Sequence, residues 1–357
     1  MRVLVLTPYM FGTVPGPRSS FELWESVLRD ADIHLDYAVF ETQRLHDIVH
    51  EPGHLVAKSA EMARSYAQFV GNARRLIEYD AVFVNREAAL IGPALIERWA
   101  VRRGKPLIYW LDDPLYIPYR SPANGWLAQL KCFGKVKTLC RISSVVMTNS
   151  PSHSAFARGH NANVWEIPSV VDAAVYTGWK PKPATGRVCI GWSGSPTTVG
   201  NLQLIRTQLR ALGERADVDL RLIGAPDFGL PEVKHEAIPW SAEHEVDDLR
   251  SFDVGLLPVA QTPWAPHKFY LKLIQYMALG IPPVATPIGS NATVIEDGET
   301  GFLVSSVAEW NVAVERLIDD AELRERVGRR AAEVAHERYT LQANAEKIVA
   351  AFRSALP

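Results

Sequence analysis

The sequence predicts an α/β protein of two domains, each built on a parallel sheet. Short apolar runs alternate with longer helical patterns, which is typical of a parallel sheet covered on both faces. With 357 residues, 47% of them hydrophobic, the chain is too long for one ordinary core and apolar enough to fill two. A proline-rich stretch at Lys180–Thr185, KPKPAT, divides the pattern and is interpreted as the linker.

The elements of both domains follow from short apolar runs, which predict strands, and from 3.6-residue periodicity, which predicts helices. In the first repeat the strands are Val3–Thr7, His34–Val39, Ala81–Asn85, Leu107–Leu111, Val145–Asn149 and Val164–Ile167, and the helices include Phe21–Arg29, Leu55–Ile77 and Leu90–Val101. In the second repeat the strands are Val188–Trp192, Asp219–Gly224 and Val254–Pro258, and the helices are Leu202–Leu212 and Val246–Phe252. We therefore expect two Rossmann-like domains, residues 1–182 and 183–340, with the ligand in a cleft at the carboxyl ends of the strands.

Composition excludes several classes of protein. The net charge is −2, from 38 basic and 40 acidic residues, whereas proteins that bind nucleic acid usually carry a basic excess. The three cysteines (Cys132, Cys140 and Cys189) have no C-x-x-C spacing, so we expect neither a disulfide framework nor a zinc site. The N-terminal MRVLVLTPY is predicted to be a strand rather than a signal peptide, and no run of about 18 apolar residues occurs. We expect a cytoplasmic protein and leave contact with the inner face of the membrane open.

The loop Gly191–Thr198, GWSGSPTT, follows a predicted strand and precedes a helix. Glycines such as Gly194 let the backbone approach a phosphate closely, and the hydroxyls of Ser195 and Thr197 can donate hydrogen bonds to it. An ordinary strand–helix turn with an N-cap is the alternative. The loop is not G-x-G-x-x-G, so a dinucleotide site is not supported.

A second anion-binding pattern lies at Lys268–Gly289, KFYLKLIQYMALGIPPVATPIG, which predicts a helix closed by Gly280 and followed by a short strand. Lys268, Lys272 and Gln275 are spaced four and three apart and would share one helical face. Ammonium groups there would offset the charge of a diphosphate as it leaves. The alternative is a solvated basic face.

The segment Lys268–Gly289, together with Asn291–Leu303 (NATVIEDGETGFL), resembles the donor-binding region of retaining glycosyltransferases of family 4, which have the GT-B fold. The resemblance covers nearly the whole chain and is most specific over Gly191–Leu303. It implies transfer of a sugar from a nucleoside diphosphate, UDP or GDP, to a hydroxyl of a glycan, lipid-linked or other acceptor, with retention of configuration, in polysaccharide or glycoconjugate biosynthesis. Residues 1–182 would bind the acceptor, residues 183–340 the nucleotide sugar, and 341–357 would form a helix that returns to the first domain.

The resemblance also implies a role for individual residues on the donor side. Lys268 and Lys272 would neutralise the diphosphate, Ser195 and Thr197 would bind it through the loop that contains Gly194, and Gln275 would hold the ribose. Ser290 and its neighbour Asn291 would lie near the phosphate or the sugar, and so would Gly12, in the loop after the first strand. For Gly12 a flexible surface loop is the alternative.

The sequence departs from this family at one place. Family 4 carries two glutamates eight positions apart around this helix, and here those positions hold His267 and Gln275. The first glutamate is associated with the donor sugar, so His267 is expected to affect the choice of sugar, and it leaves activity itself open. Gln275 can still bind ribose hydroxyls through its amide.

On the acceptor side, Asp112 and Asp113 end a predicted strand. One of these carboxylates could orient an acceptor hydroxyl or accept its proton, while adjacent residues on a strand point in opposite directions. Many relatives have a histidine at about Asp112. The alternative is that one aspartate caps the turn before Pro114. Arg86 could pair with a carboxylate or contact an acceptor anion.

No cofactor and no metal are expected. Asp217-Val-Asp219 spells D-x-D but lies in a charged stretch, GERADVDLR, and is interpreted as a solvated loop. His46, His50 and His54 are four apart, but Pro52-Gly53 interrupts any helix that would align them. The nucleotide sugar is expected as a substrate.

A basic region suggests a further partner. Between Pro114 and Trp165 the sequence has no Asp or Glu, and Trp126–Arg141, WLAQLKCFGKVKTLCR, mixes basic and apolar residues. Such a segment can rest on anionic lipid, and its alternative is a core-packed helix with its lysines in water. Lipid contact predicts retention on anionic liposomes that is lost in high salt.

Two other functions are compatible with the sequence. One is a nucleotide-sugar epimerase or phosphorylase on the same fold, which would release free sugar or perform phosphorolysis. The other is a non-catalytic GT-B protein that binds a nucleotide sugar or a partner, and binding without turnover would identify it.

Overall fold

The structure is a computed structural model that describes residues 1–13, 15–49, 53–118, 132–180, 186–225 and 227–356. It divides into two compact units. Unit 1 contains Met1–Ser169 together with Asn344–Pro357, and unit 2 contains Val170–Ala343. Most of the predicted linker, residues 181–185, lies outside the described residues. The division comes earlier in the chain than the predicted boundary at 182/183, because Val171 pairs with Thr340 of unit 2 in an isolated bridge.

Unit 1 is built on a six-stranded parallel sheet in the order β2-β1-β3-β4-β5-β6. Its strands are β1 Arg2–Thr7, β2 His34–Val39, β3 Ala81–Asn85, β4 Leu107–Leu111, β5 Val145–Thr148 and β6 Val164–Glu166. Its helices are α1 Pro15–Arg18, α2 Phe21–Asp30, α3 Gln43–Val49, α4 Leu55–Ala73, α5 Leu95–Arg102, α6 Lys135–Ile142 and α7 Pro151–Arg158. All five residues of β3 and of β4 are buried, as expected for strands covered on both faces.

Aromatic side chains pack the core of unit 1 around the central strands. Trp24 of α2 meets Trp110 of β4 edge to face, with ring centroids 4.8 Å apart. Phe83 of β3 stacks on Phe352, with centroids 5.5 Å apart and ring planes 5° from parallel. Phe352 lies in residues 344–357, so the end of the chain completes this core.

Unit 2 has a second six-stranded parallel sheet, in the order β12-β11-β10-β7-β8-β9. Its strands are β7 Val188–Ser193, β8 Val218–Ile223, β9 Glu236–Ile238, β10 Val254–Leu257, β11 Pro283–Ala285 and β12 Phe302–Leu303. Its helices are α8 Arg206–Glu214, α9 Glu245–Arg250, α10 Leu271–Ala278, α11 Asn291–Val294, α12 Val307–Asp319 and α13 Ala321–Arg338. The last helix, α14 Leu341–Arg353, begins in unit 2 and continues into residues that belong to unit 1.

Each sheet contains a point where the strand order reverses, and ligands of parallel α/β sheets bind in the crevice at such points. In unit 1 the chain runs from β1 out to β2 and then crosses to β3 on the other side of β1. In unit 2 it runs from β7 through β8 to β9 and then crosses to β10 on the other side of β7. The loops after β1, β3, β7 and β10 are therefore the positions where fold geometry predicts a site.

Several elements differ from the sequence prediction. Helix α5 begins at Leu95 rather than at Leu90, because Pro93 interrupts the pattern. The segment predicted as a helix from Leu202 is a 3₁₀ helix, Val199–Ile205, that passes into α8. The last part of Leu55–Ile77 is a 3₁₀ turn, Arg74–Glu78. Within the described residues no helix is both long and apolar enough to cross a bilayer.

Candidate functional site

The loop after β7 is held against the neighbouring strand by two glycines. The Gly194 N–H donates to the carbonyl of Ile223, with an N–O distance of 2.9 Å. A Cβ at Gly194 would lie 2.2 Å from the Trp192 ring, and a Cβ at Gly224 would lie 2.0 Å from the Gly194 carbonyl oxygen. Gly224 also has φ +112°, a region that side chains other than glycine rarely adopt. Both positions therefore require glycine. A larger residue at either position would push the loop backbone away from the neighbouring strand.

Three hydroxyls line this loop beyond Gly194. The Ser195 and Thr197 hydroxyls are 2.9 Å apart and both residues are exposed. The Thr198 hydroxyl donates to the carbonyl of Ser195 at 3.0 Å, which closes the turn before the 3₁₀ helix. Two exposed hydroxyls on a glycine-fixed backbone can donate hydrogen bonds to an anion above the loop.

Lys272 of α10 brings a positive charge to the same loop. Its ammonium donates to the Thr198 hydroxyl at 3.3 Å and lies over the Trp192 ring, 4.9 Å from the centroid. Burial of the ammonium, together with the like charge of Lys268, lowers the pKa of Lys272 to about 7. The helix itself is fixed to the strand because the Tyr276 hydroxyl accepts the Ser193 N–H at 2.9 Å.

Lys268 does not share a helical face with Lys272, so that prediction was wrong. Helix α10 begins at Leu271, and Lys268 has extended backbone angles (φ −81°, ψ 142°) at the end of a 3₁₀ turn, Ala265–His267. Two contacts of Ser290 hold this segment extended. The Ser290 N–H donates to the Lys268 carbonyl at 3.1 Å, and the Ser290 hydroxyl accepts the Tyr270 N–H at 2.8 Å. Lys268 is nevertheless near enough for its charge to lower the pKa of Lys272.

Ser290 and Asn291 are buried at 4% and 0% exposure, and the sequence missed their supporting role. Besides the contacts of Ser290, the Asn291 amide donates to the Thr286 carbonyl at 3.1 Å. Gly289 completes this support, because a Cβ there would lie 2.6 Å from the Lys268 carbonyl oxygen. His267 lies on the same segment, partly buried, in the crossing loop between β10 and α10.

Gln275 is buried on α10 and has a protein partner that the sequence did not predict. Its amide nitrogen donates to the Tyr176 hydroxyl at 2.7 Å, and that hydroxyl is in turn 3.4 Å from a carboxylate oxygen of Glu245. The carboxamide is therefore oriented by Tyr176. No sequence pattern links Tyr176 to α10, because 99 positions separate it from Gln275.

In unit 1 the aspartates after β4 meet Arg86, which follows β3. The Arg86 guanidinium pairs with both oxygens of Asp112, Nε to Oδ1 at 2.6 Å and Nη2 to Oδ2 at 3.0 Å, and its Nη1 is 3.7 Å from Asp113. Arg86 has φ +60°, and a Cβ at Gly16 would lie 2.7 Å from its Nη2. Burial acts to lower the pKa of Arg86, but the carboxylates of Asp112 and then Asp113 outweigh it, so the pKa rises well above its usual value. Asp112 is thus occupied by an ion pair, and the more exposed carboxylate is Asp113.

Other polar groups surround this pair. The Asn149 amide, after β5, donates to the Asp112 carbonyl at 3.3 Å. Glu87 forms an ion pair with Lys135 of α6 at 2.8 Å, so Lys135 is a buried partner rather than a lysine in water. Residues 126–131 of the predicted basic segment Trp126–Arg141 lie outside the described residues.

The loop after β1 contributes Gly12, which has φ +75°. Its N–H donates to a carboxylate oxygen of Glu22, on α2, at 3.0 Å. Burial raises the pKa of Glu22 to about 7. The loop is therefore anchored by a carboxyl group that the sequence did not single out. Over the described residues, no cluster of three or more His, Cys, Asp or Glu side chains is placed to hold a metal ion.

The two six-stranded parallel sheets form the GT-B fold, with a glycine loop and lysines at the order reversal of the second sheet. Residues 189–320 match a family model described as Glycosyl transferases group 1. This segment is a glycosyltransferase group 1 domain, and the family predicted from its motifs is confirmed.

Two solved structures confirm the fold over nearly the whole chain. Sucrose-phosphate synthase (tll1590) from Thermosynechococcus elongatus has a TM-score of 0.72 and 14% identity, covering 99% of this chain and 98% of that one. Anabaena HepE, in complex with UDP-glucose, has a TM-score of 0.67 and 14% identity, covering 100% of both chains.

Curated relatives match at higher identity over shorter segments. The D-inositol 3-phosphate glycosyltransferase of Arthrobacter sp. (strain FB24) is 30% identical over 217 residues, which cover 52% of this chain and 50% of the relative. The protein of the same name from Paenarthrobacter aurescens (strain TC1) is 35% identical over 135 residues, 33% of this chain and 32% of the relative. The chain thus spans half or less of the length of these relatives.

The close contact at Gly194 predicts a loss of stability on substitution. Gly194→Ala places a methyl group against the Trp192 ring, and we expect a destabilisation of about 1–3 kcal/mol in urea unfolding followed by tryptophan fluorescence. Gly200→Ala is the matched control, because a Cβ at Gly200 has no neighbour within 4 Å. Equal stability of the two variants would contradict the close contact.

The Arg86 ion pair predicts unequal effects of its two neighbouring aspartates. Asp112→Ala leaves a buried guanidinium without its bidentate partner, and we expect a loss of about 3 kcal/mol of unfolding free energy. Asp113→Ala keeps that pair and is expected to cost less than about 1 kcal/mol. Urea unfolding of both variants tests the difference, and a larger loss for Asp113→Ala would show that the pairing is misassigned.

Proposed function

We propose that this protein is a retaining glycosyltransferase that transfers a sugar from a nucleoside diphosphate donor to an acceptor hydroxyl. The observation that carries the proposal is the convergence of the Gly194 loop, Lys272 and Lys268 at the order reversal of the second sheet, inside the matched segment 189–320. The two curated relatives described above are named as glycosyltransferases, and HepE was solved with UDP-glucose. Both support a nucleotide sugar as the donor.

The donor diphosphate lies over the Gly194 loop in this proposal. The exposed hydroxyls of Ser195 and Thr197 donate to its oxygens, and the ammonium groups of Lys268 and Lys272 face its charge. As the bond from the anomeric carbon to the diphosphate breaks, negative charge grows on the leaving oxygen, and fixed cations stabilise it. Lys272 is partly buried and held over Trp192, so little reorganisation is needed when the charge develops.

The acceptor binds at the order reversal of the first sheet. Asp113 contacts the acceptor hydroxyl, since Asp112 is engaged by Arg86. Asp112 and Arg86 act as positioning residues for Asp113, and Gly12 lies near the sugar. The new bond forms from the acceptor oxygen to the anomeric carbon on the face that the diphosphate leaves, and the acceptor proton passes to the departing diphosphate. This route needs no metal and no organic cofactor.

His267 and Gln275 complete the donor side of the proposal. The oriented Gln275 carboxamide keeps an oxygen that can accept from a ribose hydroxyl. His267, where family 4 has a glutamate, faces the sugar and affects which sugar is accepted. We also propose a cytoplasmic location, in which the free thiols of all three cysteines stay reduced.

Thermal unfolding with UDP, GDP, ADP, CMP and their common sugars tests the donor class, because a ligand of the native state raises the melting temperature. We expect one base to stabilise clearly. Incubation of the best donor with alcohol and glycan acceptors, followed by NMR of the product, then gives the anomeric configuration. An inverted product would contradict retention, and binding without turnover would favour a non-catalytic protein.

Loss of the Lys272 ammonium should weaken diphosphate binding. We expect Lys272→Met to reduce affinity for the preferred nucleoside diphosphate about 10- to 100-fold, the effect of one charge-assisted hydrogen bond. Isothermal titration calorimetry measures the change. Lys234→Met removes an exposed lysine of the same unit and is the matched control. An unchanged affinity in Lys272→Met would exclude the phosphate contact.

The lowered pKa of Lys272 predicts that binding takes up protons. Above about pH 8 the free protein holds Lys272 largely neutral, and a bound diphosphate raises its pKa and restores the proton. Affinity should therefore fall as pH rises above about 7. Calorimetry at pH 8 in buffers of different ionisation enthalpy should show uptake approaching about one proton, and Lys272→Met should remove it. Proton release on binding would contradict the assignment.

A further inference from the structure

Two neighbouring helices of unit 1 expose apolar side chains that the core does not use. Helix α4 and the 3₁₀ turn after it expose Val70 by 41% and Ile77 by 58%. Helix α5 exposes Leu95 by 66% and Val101 by 36%. Single exposed apolar residues are ordinary, but a group on adjacent helices indicates an interaction surface.

The outward face of α5 combines apolar and cationic residues. Leu95, Arg98, Trp99 and Arg102 are spaced three, four and seven apart and share one face. Leu95 and the two arginines are exposed, and Trp99 is half-buried. The opposite face is in the core, where Glu97 and Ala100 are 2% and 0% exposed.

The end of α4 continues this face into a single surface. An open groove of about 330 Å³ is lined from α4 and its end by Val70, Ala73 and Arg74, and from α5 by Leu95, Ile96 and Trp99. The Lys105 ammonium, just after α5, donates to the carbonyls of Ile77 at 2.9 Å and Tyr79 at 2.6 Å, which ties the two segments together. We call this the α4–α5 surface, formed by Val70, Arg74, Ile77, Leu95, Arg98, Trp99, Arg102 and Arg103.

The charge around this surface is positive. Residues 61–80 and 91–105 contain seven basic residues, Arg64, Arg74, Arg75, Arg98, Arg102, Arg103 and Lys105. They contain four acids: Glu61 and Glu97 are buried, Glu78 lies 3.8 Å from Arg75, and Asp80 accepts the Arg2 N–H. The whole chain has a net charge of −2, so the positive charge is concentrated locally.

We propose that the α4–α5 surface docks on an anionic lipid bilayer. The arginines bind headgroup phosphates, and Leu95, Val70 and the Trp99 ring enter the boundary between headgroups and acyl chains. A soluble polyanion or an acidic protein segment would neutralise the arginines. A lipid interface would also remove the interleaved apolar side chains from water. Because the surface presents both cationic and apolar side chains, we favour lipid over a soluble polyanion or an acidic protein segment. Nothing in the docking depends on the reaction catalysed, and none of the residues named for the surface belongs to the sequence Trp126–Arg141.

Sedimentation of the full chain with vesicles of phosphatidylglycerol and phosphatidylcholine in equal parts tests the docking. We expect retention at low salt that weakens with added salt, and no retention on phosphatidylcholine alone. Arg98→Gln with Arg102→Gln should lower partitioning about 25-fold, since each cation near an anionic surface contributes about fivefold. Leu95→Ser should lower it about tenfold, with little dependence on salt.

A matched control distinguishes the effect of this surface on vesicle binding from the effect of the overall protein charge. Arg210→Gln with Arg326→Gln removes two exposed arginines of unit 2 and should leave partitioning unchanged. Circular dichroism checks that all variants are folded. Absence of retention at low salt overturns the proposal, and so does retention that the Arg98 and Arg102 changes leave intact. If Leu95→Ser has no effect and dextran sulfate competes fully, the surface binds soluble polyanions and the lipid assignment is wrong.

Discussion

The backbone contact between Gly194 and Gly224 is the constraint on which the proposed donor site in unit 2 depends. It brings the loop after β7 down onto the sheet, so that the Trp192 ring lies beneath Lys272. The ring face and one hydroxyl of the loop are the contacts that position the ammonium. An ammonium held this way is partly desolvated, which gives it a lowered pKa and a strong tendency to bind an anion. The close contact of the two glycines therefore determines both the geometry of the site and the lowered pKa of Lys272.

The order reversals of the two sheets differ in their charged contacts. In unit 2, Lys268 and Lys272 lie close enough to repel one another. In unit 1, Arg86 and Lys135 are each paired with a carboxylate, Asp112 and Glu87 respectively. The first arrangement suits a highly charged ligand and the second suits a polar one that must be oriented by hydrogen bonds. A nucleotide sugar and an alcohol acceptor differ in just this way.

Sequence patterns predicted the fold and most of the strands, because a buried parallel strand needs an unbroken apolar run whatever surrounds it. They gave no strand at β9 Glu236–Ile238, which lies at the edge of its sheet and has two exposed residues. They also located the glycine loop and both lysines. They failed where tertiary hydrogen bonds decide local structure. Lys268 has helical spacing to Lys272, yet Ser290 holds its segment extended from 22 positions away. Tyr176 and Glu22 were missed for the same reason, since neither belongs to a motif and each acts through a tertiary contact, with Gln275 and with Gly12 respectively.

The position of Phe352 has a consequence for synthesis on the ribosome. Unit 1 contains the first 169 residues and also residues 344–357, and Phe352 stacks on Phe83 of its central strand. The core of unit 1 therefore stays incomplete until all of unit 2 has been translated. Unit 2 is continuous in the chain and can complete its own sheet first. During that time the sheet of unit 1 exposes the apolar face that Phe352 covers in the folded protein. That interval is when chaperones would engage the chain.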